Sequence, residues 1–462
     1  MTFKSLSFYS LVVTSWLVSS CMVKPPAKHD PVLGVGVPAN WVAGSSSAKI
    51  PSSSAWWTEF GDRQLNALIH ESIAHNHDLK AAAGRIQTAA GEARITAAAL
   101  YPTLSAGIDA SRRQNASIAG VGSTRTDTFG VSLNTSWELD IWGRVRKSSS
   151  ASYANLQAAE ADYAARALSL AGQTAKAWFA LTEARQQLAL AVSTRESFRK
   201  TGKQATDRAD AGIQSPTDKH LAVSNYASAE ALVEQRKENV QRASRQLEVL
   251  VGRYPSGNTK GAATLPSAPS AVRAGLPADL IRRRPDLIAA ERRAAAADKN
   301  VGAARAALYP RISLTGSGGS SSSEVRNLLK GDFGVWSIAG NVVQPIFQGG
   351  QLRAQIISAK GRQREAEESF AQAALTAFGE VETALSVEQI LANREAKFRK
   401  AADAARQASR VSSNRYDQGV DPLLNVLESQ RRALDAQSSV ISARRARLNN
   451  RVDLHLALGG GF

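Results

Sequence analysis

The histidines are the first candidates for chemistry. His70-Glu71-Ser72-Ile73-Ala74-His75 is one residue longer than the zinc-protease motif, in which two imidazoles one helical turn apart bind zinc and the glutamate activates water. Here the imidazoles are five residues apart, about 140° around a helix, and cannot share a ligand sphere. His75 and His77 lie about 200° apart on the same basis, and His29, His220 and His455 stand alone. Gly316-Ser317-Gly318-Gly319 lacks the pattern of a serine nucleophile elbow and reads as a loop between strands. There is no Walker motif. One cysteine in 462 residues excludes a disulfide framework and a cysteine-based zinc cluster. The chain therefore reads as no enzyme, with no metal and no cofactor.

That single cysteine has a specific setting. Lys4 is the only charged residue before Lys24; a mostly apolar run over 6–18 comes next, then Ser19, Ser20 and Cys21. A basic start, a short apolar stretch and small residues before a cleavage point mark a secretory signal peptide, too short to span a bilayer as a helix. Cysteine directly after Leu17-Val18-Ser19-Ser20 resembles the bacterial lipobox, where the thiol takes a diacylglycerol, the chain is cut before it and the new amine is acylated. Cys21 is thus the expected lipid-attachment site, and Met22 in place of Asp resembles lipoproteins sent to the outer membrane. Three acyl chains exceed the two signals that stable anchoring needs. The net charge of +17 would otherwise raise nucleic acid as a partner, and an exported chain argues against it. With 43% apolar and 21% charged residues, the chain is not a disordered polyelectrolyte either.

The elements that position these residues come in two copies. His77-Asp78-Leu79, Arg85 and Leu100-Tyr101-Pro102 correspond to Pro285-Asp286-Leu287, Arg293 and Leu308-Tyr309-Pro310, with Asp78 and Asp286 208 residues apart. Arg208-Ala209-Asp210-Ala211-Gly212-Ile213 corresponds to Arg415-Tyr416-Asp417-Gln418-Gly419-Val420 at a spacing of 207. A period this long is a duplication, not a solenoid. Each half predicts an Ala-rich helix (65–100 and 285–308) that stops at Tyr-Pro, because proline disfavours the preceding helical turn. Two strands come after it. In the first half Leu104, Ala106, Ile108 and Ala110 alternate with polar residues, and Phe129, Val131, Leu133, Thr135, Trp137 and Leu139 share a face. The second half offers Ile312–Leu314 and a weaker stretch over 333–343. Then come very long helices, 144–210 and 350–417, each roughly 100 Å at 1.5 Å per residue. Gly212 and Gly419 end them in tight turns, and return helices run over 216–250 and 422–458.

Four strands cannot close a barrel, and an open sheet edge is not tolerated in lipid. If these strands enter a membrane the protein must oligomerise, and three copies would supply a plausible twelve strands. The helices are rich in Ala and interleaved with Arg, Gln and Glu, as a hollow cylinder wetted on both sides would require. Trp137, Trp142 and Trp336 lie in or beside the strands, suiting an interfacial girdle or strand–helix junction packing.

Three stretches carry a family resemblance: Trp56-Trp57-Thr58-Glu59-Phe60-Gly61-Asp62, Leu276-Pro277-Ala278-Asp279-Leu280-Ile281-Arg282-Arg283-Arg284-Pro285-Asp286-Leu287, and residues 303–314. They look like signatures of the TolC/OprM outer-membrane efflux proteins, and the lipobox resembles the lipoprotein (NodT-like) branch. Arg63 and His77 depart from the family, standing where prolines are common. The resemblance implies a mainly α chain with a membrane β-barrel: a homotrimer with a 12-stranded barrel, four strands per protomer, and a long periplasmic α-barrel. The organisation expected is a signal peptide (1–20), a lipidated arm (21–64), a first repeat (65–252), a linker or equatorial segment (253–282) and a second repeat (283–462).

The resemblance also implies a function: the outer-membrane exit channel of a tripartite efflux pump, passively conducting small molecules. Its partners would be outer-membrane lipid, a periplasmic adaptor and an inner-membrane transporter of the resistance-nodulation-division type. The turns at Gly212 and Gly419 would be the tips that dock the adaptor. Asp218 and Tyr416 fall where the family has constriction partners, and Asn425 and Glu428 where it carries gate carboxylates. Asn425 and Glu428 are three apart and can face the lumen together. A ring of Glu428 would concentrate negative potential at the mouth. Asn425 halves that charge, and Asp421 stands where the family has a latch arginine. The alternatives are the exit channel of a type I protein secretion system, a trimeric structural coiled-coil lipoprotein, and a basic nucleic-acid binder. The lipobox weighs against the first, the strand pairs and duplication against the second, and export against the third.

Overall fold

The computed structural model describes residues 27, 36–43, 55–115, 123–269 and 274–460. The expected signal peptide and Cys21 lie outside the described residues. Chain order is a 3-10 turn (Trp56–Phe60), α1 (Arg63–His75), α2 (His77–Ala98), β1 (Thr103–Asn115), β2 (Thr124–Leu139), α3 (Arg144–Asp210) and α4 (Pro216–Leu250). After the linker come α5 (Pro277–Arg283), α6 (Pro285–Ala306), β3 (Arg311–Ser322), β4 (Gly334–Val343), α7 (Gln351–Asp417) and α8 (Leu423–Ala457). The two longest helices have 67 residues each, and their return helices 35 each.

Two sequence expectations are corrected. The first Ala-rich helix is two helices, because Asn76 leaves helical geometry with ψ 128° and caps α2: its side-chain oxygen accepts from the amides of Asp78 (2.9 Å) and Leu79 (3.1 Å). The stretch Gly316-Ser317-Gly318-Gly319 is not a loop but the middle of β3. Strand β3 is paired on both sides, and the backbone at Gly319 lies so close to Val131 that no Cβ fits there. Glycine in this strand marks close approach, a signal easily mistaken for a turn.

The chain forms two compact units. One comprises, of the described residues, those within 85–160 and 289–371 and contains the sheet. Its strands run antiparallel in the order β1-β2-β3-β4, so β2 and β3 join the two repeats. Through the middle of the sheet, register sorts most side chains by face. The rows Leu104–Thr135–Gly316–Ile338 and Ala106–Leu133–Gly318–Trp336 lie on one face, and the row Ser105–Asn134–Ser317–Ser337 lies on the other. The apolar side chains are not covered by protein: Ile108, Trp336 and Ile338 are 84%, 80% and 79% exposed. At the strand ends Trp137 donates to the Leu100 carbonyl and Trp142 to that of Pro310, both at 2.9 Å, with Trp142 stacked on Tyr309. These two tryptophans therefore pin the strand–helix junctions, whereas Trp336 lies on the apolar face. Asp140 accepts from the amides of Val145 and Arg146 and starts α3. Buried Ala151, Ala154 and Ala296 let α3 and α6 pack closely.

The other unit comprises 33–84, 161–288 and 372–462. Its main core gathers Trp56, Trp57 and Phe60 with Leu65 and Ile69 of α1, Trp178 and Phe179 of α3, and Leu448 and Val452 of α8. Asp62 serves twice, capping α1 through Gln64 and Leu65 and accepting from Trp178 Nε1 at 2.7 Å. The linker is held down by Glu248, whose buried carboxylate accepts from the amides of Gly257 (2.6 Å) and Thr259 (2.9 Å). Arg284 of the Arg-Arg-Arg-Pro-Asp run bonds Asp286, Glu380 of α7 and the Ala457 carbonyl of α8, tying three helices. The arm is received nearby. Trp41 is buried and donates to the Ala274 and Gly275 carbonyls, while the amides of Val42 and Ala43 both bond the Glu382 carboxylate at 2.8 Å.

Candidate functional site

Within the second unit, the turns after α3 and α7 repeat one local design. Each helix ends on a glycine in the left-handed region, Gly212 at φ 72° and Gly419 at φ 77°. Each turn closes with the paired bonds of a Schellman motif: Gly212 N–H to Ala209 O and Ile213 N–H to Arg208 O, then Gly419 N–H to Tyr416 O and Val420 N–H to Arg415 O. Open space surrounds both glycines, so the backbone angle and not crowding requires them. Ser215 then caps α4, with Pro216 at its first position, and Pro422 precedes α8.

Side chains join the two turns. Tyr416 is 2% exposed among Phe198, Ala205, Ala222, Leu423 and Val426, and its hydroxyl donates to Gln214 Oε1 at 2.8 Å. Gln214 in turn donates to Asp218 at 3.2 Å, so the two expected constriction residues, Asp218 and Tyr416, meet through a glutamine. Asn425 and Glu428 occupy successive turns of α8; Asn425 is exposed. Glu428 is no bare carboxylate. Arg431 (2.9 Å) and Arg432 (2.7 Å) hold its oxygens and keep it below the usual carboxylate range. Asp421 accepts from Arg415 at 3.1 Å, and Lys219 bridges to Asp210 at 2.7 Å. Gln214 and Arg208 carry this site without having been singled out by motif. The offset between the halves was the signal that could have found them, since it aligns Arg208 with Arg415 and Gln214 with Asp421.

Elsewhere the titratable groups are structural. His455 stacks on Trp56 with centroids 5.2 Å apart, and burial, assisted by nearby Arg451, pushes it down to about 4. Near neutral pH it is therefore uncharged. His70, His75 and His77 are exposed and split between α1 and α2. Among the described residues no three His, Cys, Asp or Glu side chains converge to hold a metal. No described helix is long and apolar enough to cross a membrane.

A strand sheet apolar on one face and polar on the other, feeding paired 67-residue helices with linked turns, defines the class of β-sheet outer-membrane channels with helical hairpins. The family model for outer membrane efflux protein matches twice, at residues 68–253 and 276–460, and the matches begin 208 residues apart. This chain belongs to that family, and the duplication read from its motifs is the family's own repeat.

Its relatives bear this out. The solvent efflux pump outer membrane protein SrpC of Pseudomonas putida is 30% identical over 100% of this chain and 99% of its own length. The pyoverdine export outer membrane protein OpmQ of Pseudomonas aeruginosa is 30% identical over 99% and 98%. The open state of the MtrE outer membrane channel of Neisseria gonorrhoeae superposes with a TM-score of 0.85 at 30% identity, covering 95% of this chain and 98% of that one. The chain is an outer-membrane efflux channel.

Proposed function

We propose that three copies of this chain assemble into the exit duct of a tripartite efflux pump. The sheet carries the argument. It has four strands and an exposed apolar face, and among the described residues the outer edges of β1 and β4 have no partner strand. Lipid does not tolerate such edges, so closure must come from further copies, and three give twelve strands. The paired long helices would form the periplasmic conduit. The turns at Gly212 and Gly419 would meet a periplasmic adaptor that links the duct to an inner-membrane transporter of the resistance-nodulation-division type. Asp218, Tyr416, Asn425 and Glu428 would line or brace the closed periplasmic mouth, and Cys21 would carry the lipid anchor. The duct performs no chemistry; the transporter supplies energy and selection. The two relatives above, at equal identity, are named for solvent and for pyoverdine, so sequence similarity at this level does not transfer a substrate.

The decisive experiment is conductance of the purified protein in planar bilayers together with its mass in detergent. A trimer that conducts in discrete steps is expected. A silent monomer would remove the reading.

A further inference from the structure

We infer that Arg208 is the residue that holds the two hairpin turns of a protomer together, and that the uncharged side chain at position 214 leaves it free to do so; this rests on the reading of the turn pair as the channel's gate. The duplication supplies an internal comparison. Arg208 and Arg415 are equivalent, and so are Gln214 and Asp421. Their backbones match: Gln214 N–H points to Arg208 O at 3.3 Å, and Asp421 N–H to Arg415 O at 3.4 Å.

The side chains do not match. In the second turn Asp421 draws Arg415 back onto its own turn at 3.1 Å. In the first, Gln214 offers no charge, and its amide is committed to Tyr416 and Asp218. Arg208 therefore reaches across. Nη1 donates to the Tyr416 carbonyl at 3.0 Å, Nη2 donates to the Asp417 carbonyl at 3.1 Å, and the guanidinium sits 4.6 Å from the Tyr416 ring centroid. These carbonyls belong to the last turn of α7, where the helix dipole favours a cation; that of Tyr416 also accepts from the Gly419 N–H in the turn. Only a planar fork can serve two of them and stack on the ring at once. Gln204 adds a bond to the Asp417 side chain at 3.1 Å. Parting the turns must break the Arg208 pair.

The test is open probability of the conducting trimer in planar bilayers for wild type, Arg208→Ala, Arg208→Lys, Gln214→Asp and Arg410→Ala. Arg410 is an exposed α7 arginine that controls for simple loss of charge. Loss of a charge-assisted pair predicts about a tenfold rise for Arg208→Ala and a smaller rise for Arg208→Lys. Gln214→Asp keeps Arg208 and an acceptor for Tyr416 but recreates the Arg415–Asp421 arrangement, so it should also raise open probability. Arg410→Ala should match wild type. The inference is overturned if Arg208→Ala gates like wild type, or if Arg410→Ala opens the channel as much. Should Arg208→Ala fail to assemble, Gln214→Asp decides, and wild-type gating by that variant overturns the inference. A wild-type protein without conductance sinks the exit-duct reading instead.

Discussion

Glu428 shows how a residue's chemistry depends on its neighbours one turn away. Alone it would have made an acidic ring favouring cations; bracketed by Arg431 and Arg432 it is a neutralised strut on α8. Removing its charge exposes two guanidiniums. Glu428→Gln is therefore expected to lower the cation-to-anion permeability ratio in bilayer recordings, by about twofold near 0.1 M salt and less at 1 M, where screening shortens to a few ångströms. An unchanged ratio would place this side chain away from the ion path. Gln214 makes the same point from the other side, since one missing charge redirects an arginine six residues away.

At the scale of elements, the two strand pairs and two helical hairpins are the same design used twice, with differences where they touch each other. Strand β3 carries a glycine-rich stretch that reads as a loop by sequence, yet in the structure it is flanked by β2 and β4 along nearly its whole length. Gly319 is the tightest point, its Cβ position already filled by the Val131 backbone. Gly319→Val should force β3 away from β2 and stop assembly, read as loss of the detergent-stable oligomer and of outer-membrane protein on gels. Normal assembly would show that the strand spacing can relax. Gly318, which has open space around it, provides the matched control, because a side chain there enters the apolar face.

For the molecule as a whole, the proposed lipid at Cys21 and the proposed barrel would be separate attachments to one membrane. Trp41 and the Glu382 clasp receive the arm 20 residues after Cys21, a stretch that spans at most about 70 Å when extended. Cys21→Ser should abolish lipid labelling and signal cleavage, monitored by radioactive palmitate and by a mobility shift, while the sheet remains able to enter the bilayer. Unchanged processing would remove the lipid anchor. The net charge of +17 already counts every carboxylate, so ion pairs such as Arg447 with Glu388, 3.3 Å apart, leave it unchanged and the excess cations must be met by water and counterions.

Sequence alone determined the duplication, the order of elements and the ends of the long helices, because these rest on local rules: period-two alternation, helix propensity, Tyr-Pro stops and glycine at the turns. It also yielded the family and four of the residues at the paired turns. It missed the break at Asn76, a local cap on Asp78 and Leu79 set between two helical patterns, and misread Gly316–Gly319, since a close backbone approach is visible only once a second strand is present. The pairing of Glu428 with Arg431 and Arg432, three and four residues on along one helix, is a local contact already written in the sequence. Only the tertiary structure decided that Tyr416 meets Asp218 through Gln214 and that Arg208 crosses to α7. Those outcomes depend on which side chains arrive within about 3 Å of each other from segments some 200 residues apart, and no local rule carries that distance.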